Sequence, residues 1–336
     1  MQLQGRPGSQ GQASDRAALP TAASGGAPIF SALRRWGGFV KFSHTVFALP
    51  FALAAMAVAA RDNHGWPGWR VFLLILAAMT CARTCAMSFN RIADRKFDRA
   101  NPRTAGRHLA AGEVSLAGAW TLCVVSGAGL VAASYFINFV CFCLSPVAIG
   151  VVCFYSLTKR FTDFTHVFLG LALALAPVGA WLAVKGNFQF WPPGHGARVL
   201  QYSAVLPLLL SVAVVFWLVG FDVIYAVQDY EFDRRQGLHS LVVRWGVANA
   251  LSASFLCHVI MWGLLAAFGL LAGFRLAYYV GLVFILGCLL LEHWLARRRG
   301  LNWIQHAFFR LNAVISAVFL VVTLTEIVFP WIRFTR

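Results

Sequence analysis

Acidic side chains are scarce in this sequence. There are twelve Asp and Glu among 336 residues, and all charged types together make up 12%. Soluble domains carry about 25% charged residues, so this chain cannot cover a water-facing surface, and lipid is left as its solvent. The net charge of +16 argues for no nucleic-acid partner, because no basic soluble domain carries it. Most Lys and Arg sit in short connections between apolar runs, where they set orientation and meet anionic head groups. Cysteines at metal-site spacing are also missing. Of the eight (81, 85, 123, 141, 143, 153, 257 and 288), none forms a CxxC pair. Cys81 and Cys85 lie one helical turn apart with no His or second pair to join them, so all eight read as packing residues rather than metal ligands or disulfides. Alternating segments of about ten residues, the mark of a membrane barrel, are absent. No early apolar core follows a charged start, so no cleavable signal peptide is expected.

What is present is a series of long apolar runs. About 20 apolar residues span a bilayer core, and about nine such runs are expected, at roughly 40–60, 71–90, 116–136, 139–157, 165–184, 204–226, 248–271, 276–296 and 308–329. The third and fourth have almost nothing between them. Residues 1–28, rich in Gly, Ser, Ala, Gln and Pro, read as a disordered tail, and residues 29–336 as one polytopic domain. Basic residues concentrate in alternate connections: Arg91, Arg95, Lys96, Arg99, Arg103 and Arg107, then Lys159 and Arg160, then Arg234, Arg235 and Arg244, then Arg297, Arg298, Arg299 and Arg310. The other connections hold only Arg61, Arg70, Lys185, Arg198 and Arg275. This asymmetry puts the N-terminus and the richer connections in the cytoplasm.

The acidic residues are also unevenly placed. Half of them fall in two windows, Asp94 and Asp98, then Asp222, Asp229, Glu231 and Asp233. Ionisable groups at membrane depth are costly and mark sites. The windows share a pattern, Asp94-Arg-Lys-Phe-Asp98-Arg99 and Asp229-Tyr-Glu-Phe-Asp233-Arg234. Each ends a long apolar helix and precedes a His, His108 or His239. Four helices separate them, which suggests two related half-bundles.

Asn90, Asp94 and Asp98 recur at i, i+4 and i+8, one face of a helix. Asp222, Tyr225, Asp229 and Asp233 share another face. Two opposed carboxylate faces make a hard, oxygen-rich site that suits Mg²⁺ sharing its shell with phosphates. A single Asp-x-x-x-Asp would read as a solvated helix end, but two in phase read as a site. Tyr155 and Lys159, also at i and i+4, fit either phosphate binding or interfacial anchoring.

These motifs together resemble the UbiA superfamily of intramembrane prenyltransferases. Asn90-Arg91-x-x-Asp94-x-x-x-Asp98, with Asn101-Pro102-Arg103-Thr104 after it, is similar to the first signature. Asp229-x-x-x-Asp233, with Asp222 and Tyr225 upstream, is similar to the second, and Tyr155-x-x-x-Lys159 to the basic third motif. The resemblance covers residues 30–330. It implies an all-α integral membrane bundle around a lipid-open cavity, with Mg²⁺ between Asn90, Asp94 and Asp98 on one side and Asp229 and Asp233 on the other. It further implies that Lys159, Tyr155 and Arg91 meet the diphosphate of a polyprenyl donor, and that Asp222 polarises the acceptor phenol. An allyl cation needs a dry, aromatic-lined cavity, and 29 Phe and 12 Trp are available.

The segment Lys41-Phe-Ser-His44-Thr45-Val-Phe47-Ala-Leu-Pro50-Phe51 resembles the first helix of bacterial 4-hydroxybenzoate polyprenyltransferase-like members. The aromatic acceptor implied is 4-hydroxybenzoate or a carboxylated naphthoate, for ubiquinone or menaquinone synthesis in a bacterial inner membrane. Lys41 or Arg83 could meet its carboxylate, while Lys41 reads equally as a positive-inside anchor. His44 reads as a packing residue before a base. No obligate protein partner is evident beyond membrane lipid. The competing class is a carrier for an anionic lipid or metabolite, but carrier sites lie near the midplane and both acidic windows fall at one face. Transfer to haem, chlorophyllide or a lipid phosphate is a third reading.

Overall fold

The computed structural model describes residues 36–40, 47–190, 201–298 and 308–329. Among these there is helix and no strand. After a helical stretch at 36–40, ten α-helices follow in order: α1 Ala48–Ala59, α2 Trp69–Ala100, α3 Leu116–Ile137, α4 Phe139–Phe154, α5 Thr165–Lys185, α6 Val205–Ala226, α7 Tyr230–Arg235, α8 Leu241–Leu271, α9 Leu276–Arg298 and α10 Phe309–Val328. Eight segments are long and apolar enough to cross a membrane, and α1 is a shorter apolar helix of 12 residues. The expected nine apolar segments are thus all helical where described.

Local chemistry sets the breaks. The nearly absent boundary between the third and fourth spans is one residue, Asn138, in extended conformation. Its side chain caps α4 by accepting the Cys141 N–H at 2.9 Å, and its amide donates to the Leu182 carbonyl of α5 at 2.9 Å. Ser115 caps α3 and Ser240 caps α8 in the same manner. Gly246, at φ 76°, kinks α8 after its first turns, close to where the sequence places the start of that span.

The helices pack largely in chain order. α2 packs on α3, α3 on α4, α4 on α5, α5 on α6, α6 on α8, α8 on α9 and α9 on α10, while α1 sits between α10 and α5. The most buried span is α6 with its extension through Arg235, and the least buried is α4. The main core joins Phe51, Trp181, Trp217, Met261, Phe268, Tyr278 and Phe319. At Gly170 α5 approaches α6 so closely that a Cβ would stand 3.0 Å from the Val215 carbonyl oxygen, the small-residue contact that membrane helices use in place of a hydrophobic driving force. Phe139, Leu270 and Val283 point outward and stay 65–77% exposed. That would be a liability in water and is expected of a lipid-facing belt.

All eight cysteines are free thiols. Cys85 and Cys123 pack sulfur to sulfur at 3.8 Å between α2 and α3.

Candidate active site

The first acidic window stands on one unbroken helix. α2 runs to Ala100, about three turns beyond the apolar run, so Asn90, Asp94 and Asp98 all line a cavity of about 270 Å³ at its end. Asn90 donates to Asp94 at 3.1 Å. The second window is less regular. After Ala226 the chain tightens to a 3₁₀ turn over Val227–Asp229 and resumes as α7. Across the break Asp222, Tyr225, Asp229 and Asp233 all line the same cavity. The helix end at Tyr155–Arg160, also 3₁₀, brings Tyr155 and Lys159 to that wall. Arg91 lines it and is 4% exposed.

Each motif carboxylate has a basic partner. Asp94 accepts from Arg160 at 3.1 Å, and the same guanidinium holds the Ala93 and Ser156 carbonyls. Asp98 accepts from Arg107 at 2.5 Å, with Arg91 at 3.9 Å. Asp233 accepts from Lys159 at 3.1 Å. Asp229 takes both prongs of the Arg103 fork, Nε at 2.7 Å and Nη2 closer still, and also accepts from Asn101 at 3.0 Å. Arg103 lies in the connection after α2. Burial opposes its charge, but the bonds and attraction of Asp229 outweigh that and hold its guanidinium above the ordinary arginine value. It also donates to the Tyr225 hydroxyl at 3.3 Å. Asn101-Pro102-Arg103-Thr104 is a short folded brace: the Asn101 side chain accepts the Arg103 N–H at 3.0 Å, and Thr104 donates to the Asp98 carbonyl at 3.1 Å.

Asp222 differs from the others. Its partner is the buried His166 of α5, Nδ1 to Oδ2 at 2.7 Å. Arg83 sits deeper, at the junction with a second cavity of about 420 Å³. The two cavities share Arg83, Tyr155 and Leu173. The second is walled by small and apolar side chains, Ala78, Ala82, Ala148 and Gly179 among them, and reaches Ile137, Leu182 and Phe188 near the far ends of α3 and α5. Lys41 and His44 lie outside the described residues.

All five proposed metal ligands are oxygen donors and face one cavity. Among the described residues no three His, Cys, Asp or Glu are gathered tightly enough to cage an ion unaided. That donor set still fits Mg²⁺, which takes one or two carboxylates and completes its shell with phosphate oxygens and water.

Sequence reasoning left out Arg107, Arg160 and His166, and used Arg103 only as part of a motif. The three arginines look like orienting charges in a connection, and their carboxylates lie up to 126 residues away. No sequence signal marks His166, whose pairing crosses 56 residues. A guanidinium placed right after Asn-Pro was the one clue available for Arg103.

Residues 48–314 match the family described as the UbiA prenyltransferase family. A 4-hydroxybenzoate octaprenyltransferase from Alcanivorax borkumensis is 31% identical over 76% of this chain and 83% of its own length. One from Burkholderia lata is 28% identical over 71% of this chain and 77% of its own. Among solved structures, a UbiA homolog from Aeropyrum pernix K1 superposes with TM-score 0.71 at 29% identity, covering 84% of this chain and 98% of that one. A UbiA homolog from Archaeoglobus fulgidus bound to DMAPP and Mg²⁺ shares the fold, with TM-score 0.64 at 21% identity over 88% of this chain and 99% of that one. The chain belongs to the UbiA prenyltransferase family.

Proposed function

We propose that the protein transfers a polyprenyl group from its diphosphate to an aromatic acceptor bearing a carboxylate, 4-hydroxybenzoate or a related hydroxynaphthoate, with Mg²⁺ as cofactor. One observation carries the reading. A polar cavity holding two opposed carboxylate sets and six basic side chains adjoins, at Arg83, Tyr155 and Leu173, a long apolar cavity. A polar head on a long hydrocarbon tail needs that pairing.

The residues divide the work. Asn90, Asp94 and Asp98 hold metal on one side, and Asp229 and Asp233 on the other. Bound there, Mg²⁺ supplies charge neutralisation for the leaving diphosphate. Lys159, Tyr155 and Arg91 bind diphosphate oxygens, and Arg103, Arg107 and Arg160 join them. The basic partners now on the carboxylates turn to phosphate when the polyanion enters, so neither set of charges stays unpaired in a dry site. Preformed donors around the diphosphate favour the charge that develops as the allylic C–O bond breaks. The tail lies along the second cavity. Asp222 accepts the hydroxyl of the acceptor, and Arg83, or Lys41, meets its carboxylate. Phe47, Phe221, Phe308 and Phe309 wall the cavity beside Asp222 and keep water from the allyl cation.

The relatives named above and the metal and prenyl diphosphate bound in the Archaeoglobus fulgidus homolog support this reading. The basic-residue asymmetry supports a site facing the cytoplasm, and the bacterial relatives support an inner-membrane location. Reconstituted protein given a polyprenyl diphosphate and 4-hydroxybenzoate should release diphosphate and form the prenylated arene only with divalent metal, Mg²⁺ being preferred. Full turnover in excess EDTA would sink the metal-dependent reading.

A further inference from the structure

Four of the five cavity carboxylates are held by a permanent cation: Asp94 by Arg160, Asp98 by Arg107, Asp229 by Arg103 and Asp233 by Lys159. Asp222 pairs instead with an imidazole, at 2.7 Å. The His166 side chain is fully buried, whereas that of Asp222 keeps 23% exposure, on the cavity side. His166 Nε2 is buried and has no hydrogen-bond partner among the described residues. The tautomer follows, because the nitrogen that meets a carboxylate carries the proton. Nδ1–H donates to Oδ2.

The ring is held in place. His166 is the second residue of α5, and the hydroxyl of the residue before it, Thr165, bonds Thr158 at 2.7 Å. One turn on, Gly170 brings α5 against the backbone of α6 at Val215, two turns before Asp222. The two helices are therefore in backbone contact one turn from His166.

We infer that His166 is the positioning residue for Asp222 in aromatic transfer: it occupies one carboxylate oxygen and aims the other at the acceptor hydroxyl. The inference rests on the proposed aromatic acceptor. A carboxylate clamped by a guanidinium spends its lone pairs and its charge on that partner. One held by a single imidazole N–H keeps its other oxygen for a phenol. In the reaction the allylic C–O bond breaks and its electron pair leaves on the diphosphate oxygen. The ring carbon ortho to the hydroxyl forms the new C–C bond as the hydroxyl proton passes to Asp222. The resulting dienone loses its ring C–H proton to the departed diphosphate. Its oxygen then takes back the proton from Asp222, so the phenol and the carboxylate are both restored.

Two substitutions separate positioning from packing. His166→Asn puts an amide nitrogen where Nδ1 stood and keeps the bond. His166→Gln puts it near Nε2 and loses the bond. Both are polar and of similar bulk. The full chain in lipid nanodiscs is assayed with a polyprenyl diphosphate and 4-hydroxybenzoate, following prenylated arene and diphosphate. The Gln variant should lose about 30-fold in kcat with the donor KM within about twofold, while the Asn variant stays within about fivefold, the scale for partners that orient a functional side chain. The loss in the Gln variant should shrink across ring-fluorinated acceptors, whose hydroxyls are more acidic and need less help. Equal loss in both variants, a loss uniform across acceptors, or a donor KM that rises with it would overturn the positioning role. A wild-type protein that prenylates none of these arenes would instead remove the aromatic reading itself, and the inference with it.

Discussion

At the scale of single residues, the cavity is a set of charges that must be able to change partners. Asp94 and Asp229 stand on opposite walls, each already satisfied by a guanidinium. If their part is to hold metal against diphosphate, Asp94→Ala and Asp229→Ala should each cut turnover by at least about 100-fold, the scale of losing a key electrostatic stabiliser, with the protein still folded in detergent. Near-normal activity in either variant, measured as diphosphate release, would make that residue a structural ion-pair partner only. Asp222→Asn tests a different part. It keeps shape and polarity but removes the charge, so aromatic prenylation should fall steeply while binding of a non-hydrolysable donor analogue persists. Loss of both together would return Asp222 to the bundle's scaffolding. The carboxylates themselves were legible in the sequence, because i, i+4 and i+8 positions share a face whatever the tertiary structure does. Their partners were not. Arg107 and Arg160 serve the positive-inside pattern and the site at once, and the first role hides the second.

At the scale of elements, the sequence yields the helices and misplaces their ends, for two reasons. Hydropathy stops where polar residues begin, yet α2 continues through Asn90, Asp94 and Asp98 to Ala100, since those side chains line a protein cavity and need no lipid. The break at Val227–Asp229 is equally invisible, because no Gly or Pro marks it. Asn138 shows the reverse case: one capping side chain is enough to divide two spans that hydropathy nearly fuses. Packing between elements is most exacting at Gly170. A Cβ there meets the Val215 carbonyl oxygen at 3.0 Å and its Cα at 3.1 Å, and backbone does not move aside as a flexible side chain would. Gly170→Val should therefore destabilise the bundle by about 1–3 kcal/mol, the usual cost of overpacking, and loosen the α5–α6 contact that carries His166 and Asp222. Thermal unfolding in detergent would register it as a lowered midpoint. An unchanged midpoint would mean that the two helices can separate freely.

At the scale of the whole molecule, the number of crossings decides which side of the membrane each end occupies, and α1 decides the number. Its 12 residues rise about 18 Å at 1.5 Å per residue, less than the roughly 30 Å hydrocarbon core. Length alone would make it a re-entrant stub and the protein an eight-span chain. Its contacts say otherwise. Phe47, just before α1, packs on Phe221 and Phe309 at 5.3 and 4.6 Å in the wall of the polar cavity. Arg61, just after α1, donates at 3.1 Å to the carbonyl of Ala272, in the connection between α8 and α9. That connection belongs to the poorly charged set and lies at the opposite end of α8 from the cavity-side turn at Leu238. The segment from Phe47 to Arg61 thus links the two ends of the bundle, which argues for counting α1 as a crossing. Nine crossings with the basic connections inside would put residues 99–110 and 234–245 in the cytoplasm and the C-terminus on the far side. Reporter fusions within those two loops should read cytoplasmic, and a fusion after Arg336 should not. A cytoplasmic reading after Arg336, with both loops also cytoplasmic, would show that one of the nine helices turns back. α1 would be the first to suspect, since every other span, with α4 taken through its 3₁₀ end at Arg160, is at least 20 residues long.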